Sequence, residues 1–219
     1  MKWVRENSLG LTFILLFAIT FGGQFTVGRA VLNEERLEKG YPALDVVEYV
    51  HSGHFLEATS ENWESEFLQM AAYVLLTIFL RQKGSAESKN LKEKEEVDEL
   101  PAPSKVKADA PWPVRKGGLA LRLYSHSLSI AFGLLFFLSF FWHMYGGWRL
   151  ANDEQVLDRL PLTSFTEFVA SPEFWFQSLQ NWQSEFLSVA AIVLLSIWLR
   201  QKGSPESKPV AAPHSKTGK

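Results

Sequence analysis

The stretch NWESEFLQMAAYVLLTIFLRQKGSAESK begins at Asn62, and NWQSEFLSVAAIVLLSIWLRQKGSPESK begins at Asn181. About three-quarters of their positions are identical,. The register continues upstream without a gap at the same offset of 119 residues. Asn33 pairs with Asn152, Glu35 with Glu154, Pro42 with Pro161, Glu48 with Glu167, Ser52 with Ser171 and Phe55 with Phe174. An internal repeat of this kind constrains the fold more than any local propensity, because whatever one copy folds into, the other must as well. Residues 5–89 and 124–208 therefore read as two copies of one unit.

What each unit is follows from where its apolar residues lie. Leu9–Val27 and Leu128–Tyr145 carry no formal charge, and at about 1.5 Å per residue each is long enough for roughly 30 Å of hydrocarbon. Phe67–Leu80 and Phe186–Leu199 are shorter and reach a short span only with the amphipathic starts Trp63–Glu66 and Trp182–Glu185,. Lys2 and Arg5 before the first run imitate a secretory leader,. The run is too long for a typical leader core, however, and its mid-chain counterpart cannot be one, so it reads as a retained helix. Each unit becomes a helical hairpin of two spans. Two hairpins that enter and leave in the same sense form a parallel repeat, with a pseudo-two-fold axis along the membrane normal.

Basic residues set the sidedness. Lys2, Arg5, Arg81, Lys83, Arg115, Lys116, Arg122, Arg200 and Lys202 flank the termini and the central segment, whereas the loops inside each unit are rich in Asp and Glu. Both termini and the linker are expected in the cytoplasm, with two acidic loops outside. Trp63, Trp148 and Trp182 mark the outer interface; Trp3 and Trp198 mark the inner one,. The Lys-, Glu- and Pro-rich segment 84–114 and the tail 204–219 lack core-forming residues and read as disordered tethers,. The basic flanks suit anionic lipid rather than nucleic acid.

The repeated polar residues read as helix punctuation. Asn62 and Asn181 are expected as N-caps of the second span of each unit, and Gly84 and Gly203 as residues just past its C-terminus. Ser52 and Ser171 are expected caps upstream, Ser171 with Pro172 behind it. Asp45-x-x-Glu48 and Ser164-x-x-Glu167 are capping boxes that start short amphipathic helices in the outer loops,. Those helices either lie on the lipid surface or roof the bundle.

Few residues suggest chemistry. Glu66 and Glu185 form a symmetric pair near the outer surface, suited either to binding a cation or proton in common or to first-turn acids stabilised by the helix dipole. His126 and His143 lie about 25 Å apart on one helix and cannot share a metal. The second and fourth spans contain no His, which argues against a haem held between facing histidines. His51 and His54, three apart, have Ala170 and Glu173 as counterparts and read as solvated. With no Cys, no phosphate loop and no nucleophile–base set, the chain is expected to be no enzyme and to hold no metal or cofactor,.

The motifs "NWQSEFL…LRQKGSPESKPV", "SGHFLEA", "NWESEFLQMAA", "DAPWPVR" and "YSHSLS" resemble a family of uncharacterised bacterial membrane proteins known as a domain of unknown function. The resemblance covers nearly the whole chain. It implies a bacterial cytoplasmic membrane protein and supplies no activity and no functional residue.

The expectation is an all-α integral membrane protein of four transmembrane helices, made of two tandem hairpin repeats at 1–83 and 115–203, with tethers at 84–114 and 204–219. Its expected role is structural or interactive within the cell envelope, with the bilayer, a second copy of the chain or another envelope component as partner. The alternative is a small cation or proton route lined by Glu66 and Glu185.

Overall fold

A computed structural model describes residues 2–101 and 106–218; positions 102–105 of the expected tether lie outside the described residues. Among the described residues the chain is all-helical, with nine α-helices and no strand. They are α1 (Lys2–Glu6), α2 (Ser8–Glu38), α3 (Val46–Val50), α4 (Gly53–Phe79), α5 (Trp112–Lys116), α6 (Gly118–Ser125), α7 (Ser127–Leu157), α8 (Phe165–Val169) and α9 (Pro172–Leu195). A short 3-10 turn covers Glu96–Asp98. Two helices are long and apolar enough to cross a membrane: α2 and α7, each of 31 residues, with 18-residue windows of mean hydropathy 1.7. Helices α4 and α9 combine a polar first half with an apolar second half and do not reach that standard.

The chain divides into two compact units. The first comprises Met1–Glu61 and Phe140–Trp175, and the second Asn62–Ser139 and Phe176–Lys219. In the first unit, each long helix is followed by a loop that folds back on it. Asn33 of α2 donates to the Leu44 carbonyl at 3.1 Å and accepts from the Leu44 amide at 2.7 Å. Asn152 of α7 treats Thr163 the same way, at 3.1 and 2.8 Å. A second donor reaches each carbonyl: the Arg29 guanidinium at Leu44 and the Trp148 indole at Thr163. The bracketed residue is followed by a capping box, Asp45 with Glu48 and Ser164 with Glu167, which starts α3 and α8. Ser52 and Ser171 then accept from the amides of Phe55 and Phe174 at the heads of α4 and α9.

Tyr49 and Phe168, both buried, pin α3 and α8 to the long helices. A Cβ built on Gly28 would meet the Tyr49 hydroxyl at 2.4 Å, and one on Gly147 would meet the Phe168 ring at 2.8 Å. Glycine at these points is what lets an aromatic ring lie against the helix backbone. The tightest approach is between α4 and α7. A Cβ on Gly53 would lie 2.2 Å from the Leu150 amide nitrogen, and one on Gly146 would lie 2.6 Å from that of Glu57. The two backbones touch with no side chain between them.

In the second unit, the Trp182 indole of α9 donates to Glu64 of α4 at 2.7 Å, and the Gln69 amide of α4 donates to the Glu185 carbonyl and the Ser188 hydroxyl of α9. Beyond the helices, Ser85 bonds Ser196. The buried Lys208 ammonium donates to the carbonyls of Gly84, His214 and Lys216 at 2.5–3.1 Å.

Two expectations about helix ends are corrected. Asn62 and Asn181 do not cap, because α4 and α9 run unbroken through them. Ser52 and Ser171 supply the cap ten residues earlier, no Pro or Gly follows the first helical residues Gly53 and Pro172 before the asparagines, and the Asn181 amide turns back onto the Gln177 carbonyl at 3.2 Å. Gly84 and Gly203 do not directly follow a helix, since α4 ends at Phe79 and α9 at Leu195. Arg81 and Arg200 fold their guanidinium groups back over the last carbonyls first. The glycines, with φ of 84° and 88°, serve the turns that come next,.

Two outcomes follow for the purified protein. Asn33→Ala strips the Leu44 amide of its acceptor and should cost about 1–2 kcal/mol. Asn152→Ala should cost less, because Gln155 also accepts from the Thr163 amide at 3.1 Å; paired chemical-denaturation curves check the order. Gly53→Ala and Gly146→Ala, which force backbone apart, should each lower stability by about 1–3 kcal/mol. Gly133→Ala, with nothing within 4 Å of the new methyl, should be neutral or stabilising.

Candidate functional site

The close approach of α4 and α7 has a chemical consequence. With Gly53 and Gly146 at the contact, the next turn of α4 lies directly beside α7. Glu57 and Glu61, four apart, share one face of α4. His143 stands on α7 one turn before Gly146. Each of the three offers a ligand atom, and these atoms all lie within 4.8 Å of one another. Among the described residues this is the one such group of three or more His, Cys, Asp or Glu side chains. All three belong to the first unit.

The cluster is enclosed. Glu57 is 8 % exposed and His143 is fully buried. Phe174, also fully buried, packs its ring 5.0 Å from the imidazole and is itself held by Phe140, Phe168 and Trp175. Burial pushes the Glu57 carboxyl up to about 8, and the nearby Glu61, Glu154 and Glu173 carboxylates push in the same direction. In chemical terms this is a group of two carboxylates and one imidazole, with Glu57 and His143 buried and Glu61 half-buried. It suits a shared proton or a cation.

The residues singled out from the sequence fall elsewhere. Glu66 on α4 is exposed, and Glu185 on α9 is half-buried. They lie close enough in the second unit for the charge of Glu66 to act on Glu185. His51 and His54 do not come together: the His51 ring bonds the Val47 carbonyl at 2.8 Å, and the His54 ring bonds the Tyr49 hydroxyl at 3.2 Å. Ser52 and Ser171 sit at helix starts and Gly84 and Gly203 in turns, as described above.

Glu57 and Glu61 carry no motif in the sequence, and His143 has no histidine within reach there; its neighbours in the fold are a pair of acids on another helix. One signal was available. Counterparts at the repeat offset are Gln24 for His143, Phe176 for Glu57 and Gln180 for Glu61. The two acids come from the first copy and the histidine from the second, and none of the three has an ionisable residue at its counterpart position.

No curated protein and no solved structure matches the chain. One family does, across residues 1–219, described as a domain of unknown function, DUF6766. The match spans both copies of the repeat, both long apolar helices and the Glu57–Glu61–His143 cluster: the chain belongs to the DUF6766 family.

Proposed function

We propose that the chain is a four-span protein of the bacterial cytoplasmic membrane that works as a structural or interaction module of the cell envelope. The observation that carries this reading is the exposure of the two long helices. Of their most apolar windows, 0 % in α2 and 11 % in α7 is buried. Phe13, Ile14, Leu15 and Leu16 on α2, and Leu134, Leu135, Phe137 and Leu138 on α7, face outward. Successive residues cover every side of a helix, so these two are apolar all round. Water would penalise that surface by about 25 cal/mol per Å², whereas hydrocarbon accepts it.

The apolar second halves of α4 and α9 supply the other two spans, with Leu75, Leu76, Ile78, Leu187, Ile192 and Leu194 outward. The basic flanks favour a cytoplasmic position for both termini and the linker. The working surface is then the outer pair of bracketed loops with α3 and α8. Each loop is tied to its own long helix by a pair of hydrogen bonds between an asparagine side chain and the loop backbone, so it presents a fixed shape to a second copy or another envelope component. The repeat offset makes the two hairpins parallel copies about an axis along the membrane normal.

A second reading has one observation in its favour: the charge of Glu66 acts on Glu185, as in a pair that binds one cation while it passes. The mainly apolar faces of the four spans weigh against a continuous polar route.

Reporter fusions after Lys89 and at the C-terminal end should both report cytoplasm, and fusions at Gly40 and Arg159 should report the outside. Any reversal refutes the topology. Purified protein in liposomes should pass no more protons or cations than empty vesicles. A selective flux that disappears in Glu66→Gln/Glu185→Gln, with helix content retained, would replace the module with the route.

A further inference from the structure

We propose that Glu57, Glu61 and His143 bind one divalent transition-metal ion of the manganese-to-zinc series, with the remaining coordination positions open to water or to a ligand from outside. The proposal stands apart from the membrane reading, since it concerns three side chains and the helix contact that positions them.

Four observations converge on it. The donor set is right: two carboxylate oxygens and one imidazole nitrogen bring a charge of −2 that a divalent ion cancels. A lone imidazole among oxygens favours the transition series over Mg²⁺ and Ca²⁺, which prefer oxygen throughout. The spacing is right: ligand atoms of a tetrahedral ion at about 2.0–2.2 Å lie about 3.4 Å apart. Atoms already within 4.8 Å close that gap by side-chain rotation of about 1 Å. The setting is right: the ring of His143 is fixed by Phe174, as a ligand imidazole needs to be,. Glu154 and Glu173 add negative charge nearby.

The fourth observation separates a site from a packing accident. The repeat builds the same hairpin twice, and the counterpart positions hold Gln24 in the first copy and Phe176 and Gln180 in the second. The hairpin fold does not demand acids or a histidine at these positions. Gly53 and Gly146, which bring the two helices into backbone contact, likewise have the non-equivalent counterparts Pro172 and Val27. The close crossing and the ligand set therefore occur together where α4 of the first copy meets α7 of the second, and the counterpart positions lack both the glycines and the ligands.

The site as it stands has three protein ligands, the number that leaves a coordination position vacant for an exogenous molecule. Its ligands come from two helices rather than one, so an ion also ties α4 to α7.

The test uses the full chain, purified in detergent and stripped with a chelator. Zn²⁺ is added, the excess removed, and metal counted against protein. One ion per chain is expected to remain. Glu61→Gln and His143→Gln should each weaken retention at least about 100-fold in a competition titration, with helix content unchanged by circular dichroism. Co²⁺ loaded into the unsubstituted protein should give visible absorption bands of four- or five-coordination with nitrogen and oxygen donors. That readout stands even if the His143 variant fails to fold. Sub-stoichiometric retention, retention indifferent to both substitutions, or a Co²⁺ spectrum of the hexa-aqua type would overturn the site and leave the cluster as a carboxylate pair sharing a proton.

Discussion

The contact on which the first unit depends is backbone against backbone, at Gly53 and Gly146. Side chains normally hold helix axes 8–10 Å apart; where glycines meet, that spacing shrinks and the next turn is drawn in with it. This is how Glu57, buried and close to two further acids, comes to lie beside a fully buried imidazole. The arrangement is costly in isolation, since desolvating a carboxylate disfavours its charged form. It persists because Phe174 and its aromatic neighbours pack the histidine side of the pocket, and because the loops above are held by their own hydrogen bonds rather than by the cluster.

Those loops show a second principle, local self-sufficiency. A buried or half-buried amide and carbonyl need partners, and here a single asparagine supplies both to one loop residue. The additional donor differs between copies, guanidinium in one and indole in the other, yet each reaches the same carbonyl. The backbone requirement has been met twice by unlike side chains. The lower parts of the chain follow another logic: Lys208, with three close carbonyl oxygens around its ammonium, gathers the tail against the Gly84 turn.

Much of this was legible beforehand, and what was missed has identifiable reasons. The capping boxes at Asp45 and Ser164 and the caps at Ser52 and Ser171 were readable because such motifs are short and local. The two long apolar helices were readable because composition alone shows them. The starts of α4 and α9 were misplaced because Asn62 and Asn181 are good caps wherever a helix begins, and nothing in an asparagine says that the helix began ten residues earlier. The Glu57–Glu61–His143 cluster was invisible to motif reading because its members are 82 residues apart at the nearest approach in sequence, from Glu61 to His143, and meet only through the glycine contact. Comparing the copies position by position, rather than noting their likeness, would have exposed it.

The asparagine bracket has a consequence for how a duplicated protein changes. Each outer loop is braced by an asparagine of its own hairpin, and Tyr41 to the Val156 carbonyl and Lys39 to Asp158 add contacts between the copies. Positions on the helix flanks below are released from the symmetry that the duplication imposed. The first copy has spent that freedom on two acids and the second on a histidine, while their counterparts are amides and an aromatic ring. The duplicate hairpins are therefore better regarded as unlike donors to one shared corner than as two halves of a symmetric device.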